Sequence, residues 1–167
     1  DTVAIGAHFD DDNGIDFGSA YIFERNAGGP DNWGEVTKLN SADGAEGDKF
    51  AFQVAVSGDT VVAGAVWDDD DGHNSGSAYI FERDAGGDDN WGEVTKLTAS
   101  DSAADDVFGN HVEISGDTVV VGANLNDALG VDSGAAYIFE RNVGGPDNWG
   151  EASKLTASDG DPDDWLG

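Results

Sequence analysis

The strongest constraint on the fold is a segment that occurs three times at a fixed spacing. It begins at Asp1, Asp59 and Asp117, so the period is 58 residues in both intervals. A period of this length is typical of repeat architectures, in which each unit packs on the next one. It also argues against an enzyme, because an active site usually needs one asymmetric cluster and nearly every residue here has two counterparts. We therefore predict a chain without catalytic residues.

Each repeat is predicted to form four short antiparallel strands. In the middle copy, which is complete, we expect strands at 50–56, 60–65, 77–83 and 91–97, separated by turns rich in Gly, Asn and Asp. The segment 60–65 is almost wholly apolar, as expected for a strand that is buried on both faces. Four such strands with frequent turn signals are the pattern of a β-propeller blade. The fold class is therefore predicted to be all-β, with propeller-type blades.

Three blades follow from the repeat boundaries, and together they form one repeat domain. We assign residues 1–49 to a first blade that lacks its first strand, 50–107 to a second blade, and 108–167 to a third blade with the lead into a further strand. Three blades are fewer than the roughly 4–8 that close a propeller ring. We therefore expect an incomplete ring or an open array of blades.

The exposed faces and strand edges of such an array invite association. Three partners are expected from the sequence. The remainder of a longer parent chain is one, and a second copy that completes a six-bladed ring is another. The third is a series of copies joined head to tail in a filament, as heterologous contacts allow.

The charge of the chain excludes two classes of partner. It has 35 acidic and 7 basic residues, for a net charge of −28. Nucleic acids and anionic membranes are bound by clusters of Lys and Arg, which this chain lacks. No apolar run approaches the roughly 20 residues of a membrane span. We therefore expect neither nucleic-acid binding nor membrane insertion.

Two explanations of the acidity stay open. Under the first, the carboxylates are calcium ligands, since calcium prefers oxygen donors. Under the second, the charge keeps the protein soluble in a saline habitat, where screening is strong. The acids are spread over the whole chain rather than gathered in one loop, which favours the halophilic explanation.

Large aromatic residues also keep the 58-residue period. The simplest prediction is that they pack between blades, and the alternative is an exposed platform that stacks a base or a sugar ring. Basic residues recur in the same register, with Arg at the end of the third strand and Lys in the fourth. The repeated aromatic positions are Trp33, Trp91, Trp149, Tyr21, Tyr79 and Tyr137.

Two motifs connect the repeat to a known family. Phe108-Gly109 opens the first strand of the third copy, and Gly122-Ala123 follows an apolar run; this pattern resembles the FG-GAP repeat of integrin α-subunit β-propellers. The order Ser-Gly-Asp-Thr-Val-Val, an Asp-rich loop and Tyr-Ile-Phe-Glu-Arg is similar to the variant common in secreted microbial proteins. The resemblance covers all three copies. It implies a β-propeller, an extracellular or cell-surface location, an adhesive or scaffolding role and, often, bound calcium.

Calcium is the one cofactor that the sequence suggests, and the loop after the second strand is the first candidate site. The calcium loop of integrin-type repeats joins the first and second strands, but here that connection is a three-residue turn, too short to wrap a cation. The candidate loop has an apolar residue where an EF-type loop has its first ligand, so a solvated acidic turn is the alternative. Its candidate ligands are Asp10, Asp12, Asp16, Asp68 and Asp70.

The loop before the first strand is the second candidate site. Two aspartates recur there in every copy, while the residues between them vary. One hypothesis is a calcium ion that bridges this loop to the neighbouring blade. The alternative is that the first aspartate caps a turn through its own backbone. The residues are Asp43, Asp48, Asp101, Asp106, Asp159 and Asp164.

Together these features predict a non-catalytic extracellular module with a structural or adhesive role. It is expected to assemble through blade-to-blade contacts, with calcium as a stabilising ion. Three alternatives stay open: a propeller that binds a glycan or a protein, a filament subunit joined head to tail, and an accessory domain of a larger secreted enzyme.

Overall fold

The chain folds into β-strands and the turns that join them. The computed structural model describes residues 1–167 and contains eleven strands and no helix. Accordingly, there is no helix long and apolar enough to cross a membrane. The strands are β1 (Thr2–Ala7), β2 (Ser19–Arg25), β3 (Trp33–Leu39), β4 (Phe50–Ser57), β5 (Thr60–Ala65), β6 (Ser77–Glu82), β7 (Gly92–Leu97), β8 (His111–Ser115), β9 (Thr118–Ala123), β10 (Ala135–Arg141) and β11 (Trp149–Leu155).

Each repeat forms one antiparallel sheet, with its strands side by side in chain order. The first sheet is β1-β2-β3, the second is β4-β5-β6-β7 and the third is β8-β9-β10-β11. The predicted all-β fold with blade-like sheets is confirmed. In the middle copy β5 spans the predicted 60–65, β4 runs one residue longer than expected, and β6 and β7 are each one residue shorter. The three sheets do not close into a ring.

Each sheet has an aromatic face and an aliphatic face. In the second blade Tyr79, Phe81 and Trp91 pack against Ile22 and Leu39 of the first blade. We call the side that meets the preceding blade the leading face, and the side that meets the following blade the trailing face. Side chains alternate along a strand, so aromatic and aliphatic positions separate cleanly onto the two faces.

The trailing face of the second blade forms the next junction. Val62, Ile80 and Leu97 pack against Tyr137 and Phe139, which lie on the leading face of the third blade. Because both of its faces are covered, the second blade holds β5 with all six residues buried. The apolar core is thus divided between two blade junctions, since side-chain alternation leaves each sheet with two apolar faces to bury.

The repeated tryptophans lie on the leading faces. Trp91 and Trp149 are 5% and 7% exposed because a preceding blade covers them. Trp33 is 39% exposed, since no blade covers the leading face of the first sheet. The corresponding tyrosines Tyr79 and Tyr137 are fully buried. The aromatic positions of the covered blades therefore pack between sheets.

The Phe-Gly and Gly-Ala motifs meet at a blade junction. Phe108 is fully buried, and its ring packs edge-to-face on Tyr137 with 5.5 Å between the ring centroids. The next residue, Gly109, lies against Gly64 of the preceding blade. A Cβ atom added to Gly64 would overlap the carbonyl oxygen of Gly109. Gly109 has a φ of +88°, a left-handed conformation that glycine adopts without strain. Both motifs therefore serve the close approach of neighbouring blades.

Candidate functional site at the blade junctions

A lysine of the second blade gathers the aspartates of two loops. The Nζ atom of Lys96, on β7, lies 2.8 Å from Asp68 and 2.6 Å from Asp70, both in the loop between β5 and β6. It also lies 3.1 Å from Asp43, which comes from the connection between the first and second blades. The Tyr79 hydroxyl lies within hydrogen-bonding distance of both Asp43 and Asp68. One ammonium thus joins a loop of its own blade to the connection that precedes it.

The third blade repeats this cluster with fewer charges. Lys154 donates to Asp101, in the connection from the second blade, at 2.6 Å, and to the amide oxygen of Asn126 at 2.9 Å. The Tyr137 hydroxyl donates to Asp101 at 2.7 Å. Asn126 stands where the second blade has an aspartate, and its amide nitrogen donates to Asp106 at 2.8 Å. This junction has the same form with a lower negative charge.

The first blade contains only the local half of the cluster. Lys38 donates to Asp10 at 2.8 Å and to Asp12 at 2.6 Å, and the Tyr21 hydroxyl donates to Asp10. No aspartate of a preceding connection reaches this lysine. The cluster is therefore completed only where a blade has a neighbour on its leading face.

The charges in these clusters are mutually stabilised. Burial opposes the charge on Lys96, but hydrogen bonds to its three aspartates prevail and raise its pKa. The hydrogen bond from Lys38 lowers the pKa of Asp10 to about 2. For Asp43, burial is outweighed by hydrogen bonds from Tyr79 and Lys96, so its pKa is lowered. These shifts favour the charged forms of Lys96, Asp10 and Asp43 at neutral pH.

Six of the predicted calcium ligands converge on these lysines. In each cluster an ammonium lies among the carboxylates, at the place that a bound cation would need. No group of three or more His, Cys, Asp or Glu side chains is arranged to hold a metal ion. The lysine ammonium occupies the place of a cation at these positions, and calcium binding by the chain stays a prediction. The six residues are Asp10, Asp12, Asp43, Asp68, Asp70 and Asp101.

Most of the remaining predicted ligands bind within their own loops, and Asp106 also joins the third cluster, where it accepts a hydrogen bond from Asn126 and lines a cleft with Asp101 and Lys154. Asp48, Asp106 and Asp164 each accept a backbone N–H from a residue three positions earlier, and so cap their own loops. Asp16 lies in a left-handed turn, where its backbone N–H donates to a neighbouring aspartate of the same loop. Asp159 is exposed. In this loop the second aspartate of each pair caps the turn, whereas the sequence suggested the first.

Asp48 is the predicted ligand whose titration the fold changes most clearly. Burial raises its pKa to about 6, and the negative charge of Asp68 adds to the effect. Its carboxylate accepts the N–H of Ala45 at 2.7 Å, which partly offsets the cost of burial. Burial likewise raises the pKa of Asp106, at the same repeat position.

Asp48→Asn is expected to stabilise the protein at pH 7.5 and to leave it unchanged near pH 4. A carboxyl whose folded pKa is raised favours folding when protonated, so its contribution falls as the pH rises from about 4 to about 6. Asparagine keeps the acceptor for Ala45 without the charge. We expect a gain of about 1 kcal/mol at pH 7.5, below the roughly 3 kcal/mol of an unscreened group. Urea unfolding between pH 4.5 and 7.5 measures it, and a gain that is constant with pH would contradict it.

A second set of ion pairs joins the blades at the ends of the strands. Arg83 binds Glu24 of the first blade and Asp59 of its own blade, and its guanidinium lies 5.0 Å from the centre of the Trp91 ring. Arg141 repeats the arrangement, with Glu82 as its partner across the junction. A planar guanidinium that binds two carboxylates and lies on an aromatic ring fixes geometry more tightly than a lysine ammonium does.

One apolar recess was not predicted from the sequence. Its volume is about 250 Å³, and it lies between the second and third blades. Lys49, the one basic residue outside the repeat pattern, places its Nζ atom 3.4 Å from the centre of the Trp67 ring. The position of Lys49 outside the repeat pattern was the only sequence feature that pointed to this part of the junction. The recess is lined by Phe52, Val66, Trp67, Val107, Asn110, Asn124 and Leu125.

The stacked sheets and their shared contacts define the class of protein. Four-stranded antiparallel sheets, stacked face to face through recurring contacts, are those of a β-propeller-type repeat protein. The profile of the FG-GAP repeat matches residues 1–23, 33–81 and 91–139, which is more than half of the sequence. The chain belongs to the FG-GAP repeat family. No curated protein matches it.

Proposed function

We propose that the chain is a non-catalytic structural or adhesive module of an extracellular protein, in which FG-GAP blades assemble through their faces. One observation carries this proposal: most of the basic side chains are used to bond blades together. Four of the seven basic residues bridge two blades, and the conserved spacing of the repeat gives each of them a counterpart. The four are Arg83, Lys96, Arg141 and Lys154.

The proposal includes an extracellular location and a saline environment. FG-GAP repeats typically occur in extracellular proteins, which supports a position outside the cell or at its surface. Because most bases are engaged at the junctions, the outer surface is left with an excess of carboxylates, consistent with the net charge of −28. A surface of this kind stays soluble where salt screens its repulsion. We therefore place the module in a saline environment.

The proposal is tested by asking whether the three blades behave as one body. In urea, tryptophan fluorescence reports the junctions through Trp91 and Trp149, while far-ultraviolet circular dichroism reports the strands. Since each junction shares its core between two sheets, we expect one transition with coincident midpoints. Separate transitions for the two probes would mean that the blades are independent, and would overturn the structural role.

A second function is favoured by the apolar recess. Aromatic side chains with amides at their edge, such as Trp67 with Asn110 and Asn124, are suited to the apolar face and the hydroxyls of a sugar ring. A ligand-binding propeller would bind a member of a glycan array in a way that Trp67→Ala abolishes. Trp165→Ala is the matched control, because Trp165 is exposed and lies outside the recess. If Trp67→Ala and Trp165→Ala both retain glycan binding, the recess is not the glycan site.

A further inference from the structure

The two blade junctions are copies of one interface. At each junction an arginine on the leading face binds a glutamate on the trailing face, as in the pairs Arg83–Glu24 and Arg141–Glu82. A glutamate on the leading face also accepts a backbone N–H of the connection: Glu93 from Ala42 and Glu151 from Ser100. The third shared contact joins the lysine of each cluster to an aspartate of the preceding connection: Lys96 to Asp43 and Lys154 to Asp101. A shift of 58 residues therefore relates these three contacts at one junction to the same three contacts at the other.

The same shift identifies two halves of this interface that have no partner within residues 1–167. On the leading face of the first blade, Arg25 and Lys38 correspond to the bases that bridge the other junctions. The Arg25 side chain is 43% exposed, against 18% for Arg83, and it binds only Asp1 of its own blade. On the trailing face of the third blade, Glu140 and Asp159 are exposed. One half thus presents the bases and the other presents the acids that they bind elsewhere in the chain.

The apolar surfaces of these two faces match in the same way. Val3, Ile5 and Trp33 are exposed on the leading face of the first blade, where the second blade buries Val61 and Trp91. On the trailing face of the third blade Leu155 is 44% exposed, while its counterpart Leu97 is 3% exposed. The surface left open at one end is therefore the surface that a blade of this repeat covers at the junctions.

We propose that these two faces bind each other between copies, so that the leading face of one chain docks on the trailing face of a second copy. The inference rests on the proposed function, because it treats the blade junction as the unit of assembly. The contact is heterologous, so it continues beyond a dimer unless the ring closes. Two copies contain six blades, which lies within the range of closed propellers.

Salt is expected to promote this association. At a net charge of −28, two copies repel each other at long range. The Debye length falls to roughly 3 Å at 1 M salt, which removes that repulsion while buried pairs are screened less. Association is therefore expected at molar salt and is expected to weaken strongly at 50 mM salt.

Charge reversal tests the pairing of the two faces. Light scattering and sedimentation velocity are measured on the 167-residue chain in 2 M NaCl, where a monomer has a mass of 17.3 kDa. We expect wild-type masses of at least two copies. Arg25→Glu and Glu140→Arg should each weaken association about 30-fold or more, because each leaves like charges facing at the contact. Asp88→Arg, at an exposed turn of the middle blade, is the control and should associate like the wild type.

Restoring the pair separates this docking from nonspecific aggregation. The double variant Arg25→Glu/Glu140→Arg should associate again, and so should an equal mixture of the two single variants, since each supplies a complementary contact. A wild-type chain that stays monomeric in 2 M salt, or single variants that associate as the wild type does, would overturn the inference. If that chain still unfolds in one transition, the proposed structural role stands and only the docking fails.

Discussion

Lys96→Met is expected to lower the free energy of unfolding by about 3 kcal/mol. The substitution keeps the apolar stem of the side chain but leaves Asp68, which is 3% exposed, without its cation. Removing one partner of a buried ion pair typically costs about 3–5 kcal/mol, and the partial exposure of Asp70 and Asp43 places this case at the lower end. Urea unfolding at pH 7.5 in the presence of a chelator measures the loss.

The same variant tests the relation between the lysine and calcium. Without the ammonium, the carboxylates of Asp43, Asp68 and Asp70 face one another, and hard oxygen donors of this kind favour calcium. Millimolar calcium should therefore stabilise Lys96→Met more than it stabilises the wild type. Equal calcium effects on both proteins would contradict the view that the lysine takes the place of a metal.

The third blade supplies a matched control for this prediction. Lys154 contacts the half-exposed Asp101 and the neutral amide of Asn126. Its replacement by methionine leaves no fully buried carboxylate without a partner. Lys154→Met should therefore cost about 1 kcal/mol, as for an exposed pair, and should not respond to calcium. A loss as large as that of Lys96→Met would show that the charge on Asp68 is not the decisive factor.

Gly64→Ala is expected to lower the free energy of unfolding by about 2–3 kcal/mol. The new methyl group would overlap the carbonyl oxygen of Gly109, which belongs to the backbone of the next blade. A backbone atom cannot move aside as a flexible side chain does, so the two sheets must separate along the junction. Overpacking of a well-packed core typically costs about 1–3 kcal/mol. Thermal and urea unfolding measure the effect.

Gly122→Ala is the control, because it makes the same change at the same repeat position. The atoms that face Gly122 belong to Gly167, an exposed residue beside the single bridge between Gly134 and Leu166. This short segment can shift without disturbing a sheet, so we expect a loss below about 1 kcal/mol. If the two variants lose equal stability, the close approach of the blades is not the reason for glycine at this position.

The sequence predicted the strands well because their signals are local. Each strand of the middle copy alternates or is wholly apolar, and each is bounded by turn residues, so β5 was placed to the residue. The same pattern of strands and turns occurs in all three copies of the repeat, which supports the prediction. Blade-like sheets followed, since a strand that is apolar on both sides must be covered on both sides.

The sequence could not predict the partners of the loop aspartates. Asp43 and Lys96 are 53 positions apart and meet only because one blade stacks on the next. The sequence shows that the lysines recur every 58 residues. This spacing does not indicate which loop each lysine side chain contacts. The aspartates were therefore assigned to calcium, the external cation that the resemblance implies, although an internal cation lies beside them.

The sequence also could not predict the backbone conformation at the Phe-Gly motif of the second copy. Ala51 stands where the third copy has Gly109, and the sequence marks this only as a departure from the motif. In the structure Ala51 keeps the left-handed conformation, with φ of +61°, and remains buried against Gly6. The sheet contacts on either side hold the residue in a conformation that its own propensity disfavours.

The equivalence of the two junctions also bears on how such a chain can change over generations. Both junctions share an arginine–glutamate pair and a lysine–aspartate pair at the same spacing, so these contacts do not depend on which two blades they connect. Recombination in register between repeats would insert or remove 58 codons at a time and would recreate a complete joint at the crossover. The number of blades could then change in such a chain without the loss of a blade junction.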